Sequence, residues 1–127
     1  RCPHIRLIAA HGGGAVPFLA QRIAMMEGHR GAKGVTDVIP SLRSLYYEIA
    51  STTSAFALRS LQELADPAHI LWGSDMPFVY GTRLQEEMDH WQHYDGFDAA
   101  GRAAVEQLNA LNLFPRFAPA PSGPSAL

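Results

Sequence analysis

Along the chain, short apolar runs alternate with stretches in which apolar positions recur every three or four residues. Residues 5–10, Ile-Arg-Leu-Ile-Ala-Ala, form an apolar run ended by His11 and three glycines, the pattern of a buried strand entering a tight turn. From Val16 to Glu27 the spacing of Phe18, Leu19, Ala20, Ile23 and Met26 predicts a helix, with Pro17 in its first turn and Gly28 as its stop. Residues 29–44 read as a connection carrying a short helix near Ile39 to Leu42. Leu45 to Ala50, aromatic and β-branched, predicts a second strand. Residues 51–54 offer N-caps for a helix over Ala55 to Leu64. Asp66-Pro67 breaks that helix, and His69 to Gly73 predicts a third strand ending at Ser74-Asp75-Met76-Pro77. Amphipathic spacing over Leu84 to Trp91 and Ala99 to Leu113 predicts two more helices. The Pro/Ser/Gly-rich residues 118–127 are expected to be a disordered tail.

Strands alternating with helices point to parallel βα units, because parallel neighbours need a crossover and that crossover is usually helical. The fold class is therefore α/β. In such folds ligands bind beyond the C-terminal ends of the strands, where His11 and Asp75 are both expected.

Composition narrows the partners. At 127 residues and 47% hydrophobic, the chain can build one modest core and is too apolar to be disordered. A net charge of -2, with Lys and Arg scattered, leaves no basic face for nucleic acid. No apolar run approaches the ~20 residues that span a bilayer, so no membrane partner is expected. The single cysteine, Cys2, cannot form an internal disulfide, which suits a reducing cytoplasm.

Two segments carry candidate chemistry. His11-Gly12-Gly13-Gly14 sets an imidazole at a strand end where missing Cβ atoms let backbone approach a ligand; a glycine-rich turn with a locally bonded histidine explains it equally well. Gly73-Ser74-Asp75 sets a carboxylate after a strand, suited to holding a cation and accepting a proton; taken alone, an aspartate capping the next turn explains it better.

Together, in this order and 64 residues apart, the segments His11 to Gly14 with Pro17 and Arg22, and Gly73, Ser74, Asp75, Pro77 and Phe78, resemble the amidohydrolase-related (amidohydrolase 2) family, of the aminocarboxymuconate semialdehyde decarboxylase-like kind. The resemblance runs from Arg6 to about Phe117, with residues 45–50 in place of the family's "yyDta" strand and Leu113-Phe-Pro-Arg116 resembling its close. It implies that residues 1–117 are the C-terminal half of a (β/α)8 TIM barrel of the metal-dependent hydrolase type. It implies a divalent metal, zinc by expectation, and decarboxylation or hydrolysis of a small aromatic or unsaturated carboxylic acid. His11 would be the acid-base histidine and Asp75 the last-strand metal ligand and proton acceptor. Gly12, Gly13, Met76 and Phe78 would line the substrate pocket.

Two departures matter. Glu48 stands where the family usually has Asp, a methylene longer, and is left outside the expected site. The family's His-x-His pair and its middle-strand histidine are absent from these residues, so the chain alone is expected to bind zinc weakly and to lack the parent activity. His4, His29 and His69 do not replace them, and His90 with His93 reads as a solvated helix pair.

Two other readings stand beside this one. A non-catalytic truncated barrel or interaction piece would expose sheet edges that invite homo-oligomers. An α/β-hydrolase esterase would use His11-Gly-Gly-Gly in an oxyanion hole, but no Gly-x-Ser-x-Gly elbow is present.

Overall fold

In the computed structural model, residues 4–29 and 38–119 are described. Cys2 and most of the expected tail lie outside them. Three parallel strands, β1 (Ile8–Ala9), β2 (Tyr46–Glu48) and β3 (Ile70–Leu71), form one sheet in the order β1-β2-β3. Sequential neighbours running the same way are the arrangement that successive right-handed βα units produce.

Helix α1 (Val16–His29) follows β1 and passes through the expected stop at Gly28. Helix α2 (Val38–Arg43) lies in the connection, close to the predicted short helix. Helix α3 (Ala55–Leu64) follows β2 with Ser54 at its N-cap, as the spacing predicts, although the Ser54 side chain makes no capping bond. Leu58, Leu61 and Leu64 are its buried residues, one stripe at helical spacing. Asp66 then accepts the Ala68 N–H at 2.9 Å and closes a 3-10 turn, Pro67–His69, before β3.

After β3 come α4 (Thr82–His93), α5 (Ala99–Ala103), a π-helical turn (Ala104–Leu108) and α6 (Asn109–Leu113). The helix predicted over Ala99 to Leu113 is thus continuous but widened in the middle. Asp98 caps its start by accepting the Gly101 N–H at 2.7 Å.

The helices cover one face of the sheet. Ala9, Tyr47 and Ile70 are in register across the three strands and join Ile49, Leu58, Leu61, Trp91, Tyr94 and Val105 in the core. Alternation turns Tyr46 and Glu48 to the opposite face. β1 departs from expectation on both sides: Leu7, on the side of Ala9, is 61% exposed and Ile8, on the side of Tyr46, 42%, not buried. On the face opposite Tyr47 the sheet is covered at β2 and β3, where Tyr46 is 7% and Leu71 5% exposed, so the exposure is confined to β1. No described helix is long and apolar enough to cross a membrane.

Candidate active site

Each strand runs into its loop through a non-glycine residue in the left-handed region. His11 (φ 52°) follows β1, Ser51 (φ 56°) follows β2 and Asp75 (φ 55°) follows β3. Such backbone costs about 1–3 kcal/mol per residue and persists where the surroundings enforce it, which is common at functional sites. Since the strands are parallel, all three residues stand on the C-terminal rim of the sheet.

His11 begins a 3-10 turn, His11–Gly13, and the imidazole is exposed. Its Nδ1 lies 3.1 Å from the Ala50 carbonyl oxygen. A carbonyl only accepts, so Nδ1 carries the proton and Nε2 is the nitrogen left to exchange protons with a ligand. Gly13 is required here. It has φ 77°, and a Cβ on it would lie 2.8 Å from Tyr47 Cε1. A cavity of about 480 Å³ opens beside the imidazole, lined by His11, Gly12, Gly14, Thr52, Phe18 and Phe56 among others.

Asp75 is half-buried, and no described residue hydrogen-bonds or ion-pairs with its carboxylate. Its carbonyl accepts the Phe78 and Val79 N–H groups at 2.8 and 3.0 Å, so its main chain starts the turn while the side chain is left available. The expected side-chain cap is not formed: the turn is held by the Asp75 main-chain carbonyl, and the Ser74 hydroxyl, not the Asp75 carboxylate, accepts the Met76 N–H at 3.4 Å. Met76 and Phe78 are exposed at the same exit, and neither lines the cavity beside His11. The structure places His11 and Asp75 on one rim, with Gly12 at the cavity and Gly13 packed on Tyr47, but brings no two of the expected side chains into contact.

Between His11 and Asp75 stands Glu48, which the sequence reading set aside. Its carboxylate accepts the N–H of His11 at 3.4 Å and that of Ala50 through its other oxygen. It lies directly over Gly73, where a Cβ would be 1.8 Å from Glu48 Oε1. The sequence holds one clue, an acid inside an apolar run; what it meets depends on strand register.

Among the described residues, no group of three or more His, Cys, Asp and Glu side chains is placed to hold a metal. Asp75 fits the part of one oxygen ligand, and a site requires several. His90 and His93 are exposed on α4, and His93 Nδ1 donates to its own helix at Asp89 O, 2.7 Å away, in keeping with a solvated pair.

A sheet of successive parallel βα units, with an imidazole and a carboxylate at the exits of its two outer strands, has the fold of part of a (β/α)8 barrel. The chain belongs to the amidohydrolase family, whose model matches residues 1–116. The esterase reading of the glycine segment is thereby set aside. It is 28% identical over 117 residues to the 6-methylsalicylic acid decarboxylase of Penicillium expansum, covering 90% of this chain and 36% of that protein. Among solved structures it is similar to the 5-carboxyvanillate decarboxylase LigW of Sphingomonas paucimobilis, with TM-score 0.77, 21% identity, and coverage of 89% of this chain and 34% of that one. It is also similar to a dihydroxybenzoic acid decarboxylase of a Polaromonas species with bound manganese and the inhibitor 2-nitroresorcinol, with TM-score 0.73, 19% identity, and coverage of 92% and 36%. The chain spans about a third of the length of the curated relatives it matches.

Proposed function

We propose that the complete protein is a metal-dependent decarboxylase of a small aromatic carboxylic acid, and that this chain contributes His11 and Asp75 to its active site. The observation that carries this reading is the rim geometry: two chemically complementary groups leave two strands of one parallel sheet at the same end, each from left-handed backbone. The names of the relatives support decarboxylation over hydrolysis.

Asp75 would hold a divalent cation together with ligands from outside the described residues, and the cation would supply positive charge to orient the acid's oxygens. Zinc is the expectation from sequence and manganese the ion of the solved relatives, so both belong in the comparison. His11 has the proton role. With Nδ1 donating to Ala50 O, a protonated Nε2 gives its proton to the ring carbon as the bond to the carboxylate breaks and CO2 leaves. The bonding electrons stay on that carbon to form the new C–H bond, and His11 is left neutral with its proton on Nδ1. Gly12 and Gly13 admit substrate near the backbone, and Met76 and Phe78 offer apolar surface to its ring.

The test is release of CO2 by the full-length protein from 6-methylsalicylate, 2,6-dihydroxybenzoate and 5-carboxyvanillate, loaded with Mn(II) or Zn(II). Turnover of at least one acid, abolished by His11→Asn, supports the proposal. Failure with every acid and both metals, or full activity without His11, sinks it.

A further inference from the structure

The bonds around Glu48 form a closed set. Its Oε2 accepts the His11 N–H, 37 residues away in sequence, and its Oε1 accepts the Ala50 N–H. The carbonyl of that same Ala50 holds the His11 imidazole through Nδ1. One carboxylate therefore grips both the main chain of His11 and the residue that orients its ring.

Room for this carboxylate comes from the third strand. Gly73 presents its bare Cα to Glu48, and the nearest three atoms to a Cβ placed there all belong to the Glu48 side chain, at 1.8, 2.4 and 2.6 Å. Glu48 thus lies on the central strand, supports the exit from the first and is accommodated by the exit of the third. It is half-buried, which strengthens a charge-assisted hydrogen bond relative to one in open water.

We propose that Glu48 is a positioning residue: its carboxylate fixes His11 in the left-handed backbone, and through Ala50 fixes the ring, so that Nε2 is presented at the rim. The role in turnover rests on the decarboxylase reading above; the clamp itself does not. Glutamate suits it because both oxygens are used and both partners are N–H donors. A glutamine offers one acceptor and one donor to the same pair, and an alanine offers nothing.

Two measurements test it. In this chain, Glu48→Ala should raise amide hydrogen exchange at Ala50 by about tenfold or more, and at His11, whose bond is 3.4 Å long and exposed, by a smaller factor. The Ile49 N–H, bonded to Leu71 O at 3.1 Å, should keep its protection and so report an intact sheet. In the full-length protein, Glu48→Ala should lower kcat about 10- to 100-fold, the usual cost of losing an orienting partner, with KM little changed. Glu48→Gln should fall between it and the parent. Gly73→Ala should be damaging with Glu48 present and nearly without further effect in the Glu48→Ala background, because the clash partner is gone.

Unchanged exchange at both amides overturns the clamp. A raised KM with unchanged kcat overturns the positioning role, since that split marks a group that binds substrate. A parent protein inactive on every acid removes the decarboxylase reading, while the exchange result still decides the clamp.

Discussion

The Trp72 N–H donates to the Val105 carbonyl at 2.9 Å, so the outer edge of β3 is met by a helix. The π-helical turn explains how a helix can spare that carbonyl. The Asn109 N–H reaches five residues back to Ala104 O, passing over Val105 O at four. Beside it the Asn109 amide donates to Ile70 O at 2.8 Å and to Pro67 O at 2.9 Å. The widened helix is thus a cover for a sheet edge. Two open edges are the expectation for three strands; at β3 the structure replaces that with a covered one.

Asn109 is 4% exposed, and its side chain supplies the donor for two backbone carbonyls. Asn109→Leu removes that donor and should cost about 1–3 kcal/mol. Asn109→Asp should be worse, since a carboxylate would face two carbonyl oxygens. Urea unfolding of the three proteins gives the order; equal midpoints would show that the edge cover contributes nothing.

Gly13 and Gly14 make a controlled pair. Both have positive φ, but an added Cβ meets the Tyr47 ring at Gly13 and nothing within 4 Å at Gly14. Tyr47 cannot yield easily, being fully buried with its hydroxyl donating to Leu42 O at 2.9 Å. Gly14→Ala, at φ 59° and ψ -125°, should lose about 1–3 kcal/mol for the backbone alone, and Gly13→Ala more through the added clash with Tyr47, read as the gap between their thermal midpoints.

Burial pushes the Tyr47 phenol above its usual value of 10.0. Tyr94 is raised too, chiefly by burial and further by Asp95, against an opposing pull from Arg59. In both, the folded protein holds the proton more tightly than the unfolded chain does. Their contribution is complete below about pH 10 and is lost as pH rises through the raised folded values. Stability should therefore fall above pH 10, and Tyr47→Phe should flatten that alkaline limb in denaturant titrations at pH 8 and pH 11.

Asp75→Asn is the mildest way to remove a carboxylate from left-handed backbone, because asparagine tolerates that region. No described residue binds the Asp75 carboxylate, so circular dichroism and melting should stay near the parent. In the full-length protein, bound divalent metal and CO2 release should both drop about 10- to 100-fold or more. Retained metal with retained turnover would remove Asp75 from the site.

Local pattern carried the element order well. Helix α3 was legible to the residue because its leucine stripe is flanked by a cap candidate on one side and Asp66-Pro67 on the other. Helix α1 was less so at its far end, since a single Gly28 lowers helix propensity without forbidding another turn. The site divided in the same way. His11 and Asp75 stood out because each lies just past an apolar run, in a glycine-containing turn, whereas Glu48 gave a weaker signal and acquires the His11 N–H and the space over Gly73 only in the folded sheet.

The sequence by itself determined the α/β class, the family and the two strand ends that carry an imidazole and a carboxylate, because periodicity and short motifs depend on residues near one another in the chain. Tertiary structure alone decided that Glu48 clamps His11 and that a π-turn covers the edge of β3. Those features join residues from about 33 to 39 positions apart, and their contacts exist only once parallel register has fixed which backbone groups face each other.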